Sequence, residues 1–207
     1  MSAAAAVPAL DVVDWRRRVF ALYAEVRAAA TPEAGHAAWR RSRDDLFAHH
    51  PASPLLDEDR SSFTGLDIAP YDPAWRFEVE IQPADPTPWE VQTGTDGVVP
   101  FERLGTLTLP GLGTLDLWRL ATYGGGLFLP LRDGSSGEPD GSYGGGRYLL
   151  DTVKGADLGG TPDHLVVDLN FAYAPSCAYD PAWACPLAPA GNRVEAVVPV
   201  GERQLIG

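Results

Sequence analysis

The chain is poor in cysteine, in basic residues and in long apolar runs, and each scarcity excludes a class of protein. Two cysteines among 207 residues are too few for the disulfide framework of a small secreted domain. Sixteen basic residues face 28 acidic ones, giving a net charge of −12, so nucleic acid and anionic membranes are poor partners. No run approaches the ~20 apolar residues of a membrane span, and the first residues lack the basic start of an export signal. We therefore expect a cytoplasmic protein with reduced thiols.

Signatures of common enzyme classes are missing as well. The chain has no Gly-x-Ser-x-Gly elbow, no His-Glu-x-x-His helix and no phosphate loop with its lysine. The usual signals of a serine hydrolase, a zinc protease or a P-loop protein are therefore lacking. No tightly held organic cofactor is expected.

The two cysteines, Cys177 and Cys185, allow three interpretations. They stand eight residues apart in a proline-rich segment, whereas zinc-binding cysteines usually stand about two to four residues apart in a site of four ligands. A metal site would need a histidine, such as His50, as a further ligand. One cysteine could instead be a catalytic thiol. Buried structural cysteines are the interpretation that we favour.

Two helices are predicted near the N terminus. Apolar residues recur at three- and four-residue steps between Asp14 and Ala30, which is the pattern of an amphipathic helix. Thr31 followed by Pro32 indicates a cap and a proline at the first helical position, so a second helix should run to about Ala48. We predict a disordered tail over residues 1–13, a helical pair over 14–56 and a β domain over 57–207, packed as one unit.

Strands predominate after residue 63. Short alternating runs are separated there by glycine, proline and aspartate, which is typical of antiparallel strands. No helical segments alternate with them, so a parallel Rossmann-type sheet is disfavoured. The predicted fold class is α+β, mainly antiparallel β, with a barrel-like or sandwich β domain and an N-terminal helical pair. The strands are expected near residues 77–81, 89–93, 101–109, 114–121, 127–132, 147–151, 165–172 and 194–200.

Three charged residues mark a long predicted hairpin over residues 127–151. Its strands would bring Arg132 and Asp133 close to Arg147, and a guanidinium can hold a carboxylate through two parallel hydrogen bonds. Such a pair would pin the hairpin internally. Alternatively, one arginine is left over to bind an anionic ligand.

A second polar pair, Asp168 and Asn170, stands two residues apart in a predicted strand, so both side chains should share one face. Inside a barrel they would have to be hydrogen-bonded or to bind a polar ligand, because an unpaired buried carboxylate is costly. On an outward face the pattern would describe an ordinary amphipathic strand. We favour the inward orientation.

The pentapeptide Tyr-Asp-Pro-Ala-Trp occurs twice, at residues 71–75 and 179–183. An old duplication of a hairpin would explain the repeat. We favour the simpler interpretation that two similar turns selected similar residues, because aspartate before proline favours turn initiation.

Four long stretches also carry a family resemblance: WRRSRDDLFAHHPASPL, FTGLDIAPYDPAWR, LFLPLRDGSSG with YGGGRYLLD, and DLNFAYAPSCAYDPAWACPLAPAGNRVEAVVPVGER. They resemble the domain-of-unknown-function family 1684, which is widespread in actinobacteria and haloarchaea. The resemblance covers nearly the whole chain after Asp14 and includes Arg43, Asp44 and both cysteines. The family has no established activity, so the resemblance implies a shared site without naming its chemistry.

These patterns together predict a pocket in the β domain for a polar or anionic small molecule. Arginines would fix the anion and tyrosines would donate hydrogen bonds or stack. Asp168 or Asp133 could act as a general base if burial raises its pKa, and His50 is a further candidate for proton transfer. A structural or interaction protein without a ligand and a Cys/His metal protein are the alternatives. The predicted ligand-binding residues are Arg132, Asp133, Tyr143, Arg147, Tyr148, Asp168, Asn170 and Tyr179.

Overall fold

A computed structural model of the protein describes residues 9–93 and 97–203. Within them, three helices precede seven strands. No helix in this part of the chain combines the length and apolar character that a bilayer crossing requires. The elements are α1 (Ala9–Ala28), α2 (Pro32–His49), α3 (Asp57–Arg60), β1 (Arg76–Glu80), β2 (Pro88–Thr93), β3 (Gly97–Leu109), β4 (Gly113–Leu120), β5 (Leu127–Leu131), β6 (Arg147–Asp151) and β7 (His164–Asp168).

The helical pair is confirmed, and the two helices pack through their apolar faces. Leu22, Tyr23 and Val26 of α1 are buried and share one hydrophobic cluster with Trp39 and Phe47 of α2. The three- and four-residue spacing that predicts the helices thus also identifies the faces that meet.

The helix boundaries follow the expected chemistry at α2 and differ at α1. Thr31 accepts a hydrogen bond from the amide of Ala34 at 3.1 Å, which caps α2. α1 begins at Ala9, so the prediction of a disordered tail is wrong for residues 9–13. Residues 1–8 lie outside the described part of the chain.

The strands form two antiparallel sheets. One has the order β2-β3-β4-β5-β6, and the other pairs β1 with β7. Leucines of the large sheet share one buried cluster with valines and leucines of the small one, so the main core lies between the two sheets. The α+β, mainly antiparallel fold is confirmed. The barrel is not closed: among the described residues β6 pairs with no strand besides β5 and otherwise makes only isolated bridges, from Tyr148 to Tyr173 and from Asp151 to Ala156.

The prediction of a last strand over residues 194–200 is wrong. This segment is held by buried side chains instead of by a neighbouring strand. Asp133 accepts a hydrogen bond from the Val198 amide at 2.9 Å. Arg147 donates to the carbonyls of Val198, Val200 and Glu202 at 3.2, 2.5 and 3.2 Å. In a sheet, these peptide groups would bond to a neighbouring strand; here the side chains of Asp133 and Arg147 bond to them instead. The alternating apolar pattern that predicts a strand therefore occurs in a segment that is not one.

The strand predicted over residues 165–172 ends early, at Asp168. Its carboxylate accepts hydrogen bonds from the amide and the side-chain amide of Asn170 at 3.0 and 2.7 Å, which starts a short 3₁₀ helix over Leu169–Phe171. The prediction that Asn170 shares a strand face with Asp168 is therefore wrong. Both side chains are buried. Asn170 also holds the loop before β1, because it accepts from the Asp72 amide and donates to the Asp72 carbonyl.

The repeated pentapeptide forms the same local turn at both places. Asp72 accepts from the Ala74 amide at 2.9 Å, and Asp180 accepts from the Ala182 amide at 2.8 Å. This shared aspartate turn supports the interpretation that similar turns selected similar residues.

Asn192 is a buried junction that joins β4 and β5 to the segment after them. Its side-chain amide donates to the carbonyls of Asp116 and Pro130 at 2.8 and 2.9 Å and accepts from the indole of Trp118 at 2.8 Å. Replacing Asn192 with alanine should lower the free energy of unfolding by about 2–4 kcal/mol, because three buried polar groups lose their partner. Urea denaturation would measure the change. A loss below about 1 kcal/mol would show that water replaces the amide.

Candidate functional site

The helical pair covers a cavity of about 80 Å³ above β6 and the segment after β7. We call it the helix cavity. Aromatic rings and charged groups both reach it, which is the usual mixture in a small-molecule site. Its walls include Trp15, Tyr23, Trp39 and Arg43 from the helices and Tyr148, Asp151, Lys154, Tyr173 and Cys185 from the β domain.

A second cavity, of about 160 Å³, adjoins the first, since Asp151 and Lys154 line both. We call it the sheet cavity. Val99, Phe101 and Phe128 contribute most of its apolar character. An apolar cavity of about 150 Å³ is large enough to hold benzene, so this space suits the body of a small organic molecule.

Arg43 is the most unusual side chain of the helix cavity. It occupies the apolar face of α2, one turn after Trp39 and one turn before Phe47, and is only 9% exposed. Its guanidinium carbon lies 5.0, 5.1 and 5.0 Å from the ring centroids of Trp39, Phe47 and Tyr173, where cation–π attraction offsets part of its desolvation.

The hydrogen bonding of Arg43 is incomplete. Nη2 donates to Oε2 of Glu202 at 2.5 Å, and this is its one hydrogen bond to the described residues. Its Nε is buried without a partner. A guanidinium has five N–H donors, so Arg43 keeps donating capacity at the cavity wall.

Glu202 is buried beneath Arg43 and also accepts a hydrogen bond from the hydroxyl of Tyr179. Burial raises the pKa of this carboxyl, and the charge and hydrogen bond of Arg43 oppose that rise. Glu202 is therefore the acidic partner of Arg43, and the ion pair favours its ionised form.

Lys154 stands where the two cavities meet. Its ammonium lies 3.4 Å from the carboxylate of Asp151, and its side chain is 52% exposed. The negative charge of Asp151 raises the pKa of Lys154, so the lysine stays protonated. It supplies a second cation at the mouth of the site.

The two cysteines lie side by side, and Cys185 lines the helix cavity. Each cysteine is close enough to the other to shift its pKa. The hydroxyl of Tyr143 lies 3.9 Å from the sulfur of Cys177. Tyr148 is buried beside them and donates to the Pro186 carbonyl at 2.7 Å.

The predicted pair of Asp133 and Arg147 is present as an internal ion pair. Its nearest atoms are 2.9 Å apart and both side chains are nearly inaccessible. Burial by itself would raise the pKa of Asp133, but the charge of Arg147 and hydrogen bonds from Val198 and Ser135 lower it. Asp133 is therefore a poor general base. Together with the hydrogen bonds from Arg147 to backbone carbonyls, these bonds hold the hairpin against residues 198–202.

Arg132 is not brought to this pair. Its side chain makes no hydrogen bond or ion pair to the part of the chain that the structure describes, and its backbone bonds to Asn192 and Val194. Asp168 and Asn170 likewise lie elsewhere. Asp168 borders a surface depression together with Arg76, and burial raises its pKa while Asn170 opposes the rise.

His50 caps a turn and is not part of the helix-cavity wall. Its Nε2 is 3.1 Å from Asp14, and its Nδ1 accepts from the Ala52 amide at 3.0 Å. Among residues 9–93 and 97–203, no three His, Cys, Asp or Glu side chains cluster as metal ligands. Of the eight residues predicted to bind a ligand, Tyr148 lines the helix cavity, Tyr143 contacts Cys177 and Tyr179 contacts Glu202. Ligand binding by the whole set stays a prediction.

Arg43, Asp151 and Lys154 were not among the predicted site residues. For Arg43 a signal exists in the sequence, because a charged residue stands one turn from Trp39 and Phe47 on a face that is otherwise apolar. Asp151 ends β6 and Lys154 follows it, and neither shows a comparable pattern. Only the packing of the helices over β6 shows that they border a cavity.

The fold and the site define an α+β protein in which a helical pair encloses a cavity against an open antiparallel sheet. Residues 61–203 match a family described as "Protein of unknown function (DUF1684)". The chain is a member of this DUF1684 family. No protein with curated function matches it.

A solved structure supports this assignment. The solution NMR structure of the uncharacterized protein from gene locus rrnAC0354 of Haloarcula marismortui is 35% identical, with a TM-score of 0.56. The match covers 81% of this chain and 91% of the haloarchaeal chain.

Proposed function

We propose that the protein binds a small molecule with an apolar body and an anionic, carboxylate-like end. One observation carries the proposal: Arg43 is nine-tenths buried at the wall of the helix cavity, and most of its N–H groups have no acceptor among the described residues. A buried guanidinium with free donors favours a carboxylate ligand, which can accept two parallel hydrogen bonds.

The surroundings fit the remainder of such a ligand. The rings of Trp39, Phe47 and Tyr173 surround Arg43 and exclude water, and a low local dielectric strengthens a charged hydrogen bond. Lys154 adds a second positive charge, and the adjoining sheet cavity of about 160 Å³ is apolar. The proposed site lies between the helices and the sheet, whereas the sequence pointed to the β domain alone.

Benzoate is the first probe, with benzamide as its neutral counterpart of the same shape. Titration calorimetry should show that benzoate binds and that benzamide binds at least about tenfold more weakly. The rings of Trp15 and Trp39 line the cavity, so benzoate should also change the tryptophan fluorescence.

Arg43→Lys is the matching variant, because lysine can keep the ion pair with Glu202 and lacks the remaining guanidinium donors. It should weaken benzoate binding by about tenfold or more. Arg41→Lys, at an exposed position of the same helix, should bind like the unaltered protein. Equal binding of benzoate and benzamide, or unchanged binding by Arg43→Lys, would contradict the proposal. So would failure to bind benzoate, acetate, butyrate and octanoate alike.

A further inference from the structure

The segment between β7 and residue 189 carries both cysteines and places Cys185 at the wall of the helix cavity. Cys177 lies in a short 3₁₀ helix, Ser176–Ala178, and Cys185 follows the second Tyr-Asp-Pro-Ala-Trp turn. That turn folds the segment back, because Asp180 holds the Ala182 amide. As a result the thiols meet although they are eight positions apart in sequence.

We propose that Cys185 is a nucleophilic thiolate that reacts with hydroperoxides at the cavity, and that Cys177 resolves the product as an intramolecular disulfide. The geometry carries this inference. Both side chains are half-buried, Cys185 shares the cavity wall with Tyr148 and Lys154, and the hydroxyl of Tyr143 lies 3.9 Å from the sulfur of Cys177. An accessible thiolate beside a second thiol is the arrangement of a reversible thiol-oxidation site.

The charges around the pair favour a thiolate on Cys185. The hydrogen bond from Cys177 is the largest cause that lowers the pKa of Cys185, to about 6, against the opposing effect of burial. The ammonium of Lys154 and the hydroxyl of Tyr148 lower it further. The same hydrogen bond and burial raise the pKa of Cys177, which keeps the second thiol protonated. The ionisable groups that interact with Cys185 or its neighbours, or line the same cavity, include Cys177, Tyr143, Tyr148, Asp151, Lys154, Arg16, Tyr23, Arg43 and Tyr173.

The reaction balances with a hydroperoxide as oxidant. The Cys185 thiolate attacks the peroxide, an S–O bond forms, the O–O bond breaks, and the leaving alkoxide or hydroxide takes up a proton. The Cys177 sulfur then attacks the resulting sulfenic acid, an S–S bond forms, and water leaves. A dithiol reductant restores both thiols by exchange. This reactivity needs neither Arg43 nor an anionic ligand, so the proposal is independent of the proposed function.

The first test is the pH profile of alkylation by iodoacetamide, followed by peptide mapping of the full chain. Cys185 should react with a half-maximal rate near pH 6. At pH 7 it should already reach about 90% of its plateau, whereas a cysteine with a pKa of about 8.5 reaches about 3%. Cys177 should stay largely unmodified at neutral pH.

Two variants at Cys177 separate chemistry from folding. Cys177→Ser keeps a hydroxyl donor and should preserve the low half-maximal pH of Cys185. Cys177→Ala removes the donor and should raise it by about one unit or more. A wild-type profile that rises only above about pH 8, or equal profiles for the serine and alanine variants, would overturn the proposal.

The second test uses hydrogen peroxide and intact-mass spectrometry. The wild-type chain should lose two hydrogen atoms and regain them with dithiothreitol. Cys177→Ser should instead accumulate a sulfenic acid on Cys185 that dimedone traps. Oxidation of the wild type to a sulfinic acid without an internal disulfide, or dimedone labelling at Cys177 in place of Cys185, would overturn it.

Discussion

Replacing Asp133 with alanine should lower the free energy of unfolding by about 3–5 kcal/mol, because it strands the Arg147 guanidinium in the interior. Arg147 is 1% exposed, and Asp133 is its one anionic hydrogen-bond partner among the described residues. The alanine also removes the acceptor of the Val198 amide and of the Ser135 hydroxyl. Urea denaturation followed by circular dichroism would measure the loss.

A control and a double variant make this result interpretable. Asp163→Ala, at an exposed ion pair with His164, should change stability by less than about 1 kcal/mol. Combining Asp133→Leu with Arg147→Met should recover part of the loss, because apolar side chains need no counterion. If Asp133→Ala alone costs less than about 1 kcal/mol, the buried pair does not hold the segment after the hairpin.

The same carboxylate predicts a dependence of stability on pH. The pKa of Asp133 is lower in the folded protein than its ordinary value of 3.8, so the folded state binds this proton less readily than the unfolded state. Its contribution is therefore complete above the unfolded value and is lost as the pH falls through the folded one. Stability measured from about pH 6 down to pH 2 should fall less steeply for Asp133→Ala than for the wild type.

Replacing Glu202 with alanine should cost about 3 kcal/mol or more, because Arg43 then keeps its charge in a ring of aromatic side chains without a carboxylate. Tyr179 loses its acceptor as well. Since Arg43 belongs to α2, hydrogen exchange should accelerate most in the two long helices and least in the strands around Leu107. Uniform acceleration throughout the fold would contradict a local role for this ion pair.

The milder change Glu202→Gln connects stability to binding. Glutamine keeps the shape of glutamate and removes its charge, so Arg43 loses its anionic partner. Under the proposed function, this variant should bind benzoate more tightly than the wild type although it unfolds more easily. Weaker benzoate binding, in protein that is still folded, would count against Arg43 as the anion site.

Local patterns predict most of the elements here. The helices follow from periodic apolar residues and the Thr31 cap, and β6 begins and ends at the predicted residues, Arg147–Asp151. The strand predictions fail where a side chain, and not a neighbouring strand, forms the hydrogen bonds to the backbone. Asp168 ends β7 by capping a 3₁₀ turn, and Asp133 with Arg147 holds an extended segment that alternation alone presents as a strand.

The candidate site was harder to predict because residues far apart in sequence form it. Arg43 comes from α2, Lys154 follows β6, and Cys185 lies in the segment after β7. Periodicity identifies each element but not which elements meet. The sequence analysis named Tyr148, which lines the helix cavity, as a candidate ligand-binding residue, and it also named Arg147, whose donors serve the protein interior.

The partners Arg43 and Glu202 are separated by 159 positions in the chain. At a synthesis rate of about 5–20 residues per second, roughly 8–30 s pass between the two on a ribosome. During that interval the nascent helical pair has no carboxylate for its arginine, and until β6 has been synthesised it has no complete sheet to cover its aromatic face. The nascent chain must therefore remain soluble, or be bound by a chaperone, until Glu202 has been synthesised. A chain truncated anywhere between Arg43 and Glu202 would therefore leave the arginine of α2 without its carboxylate, although the truncation lies far from α2 in the sequence.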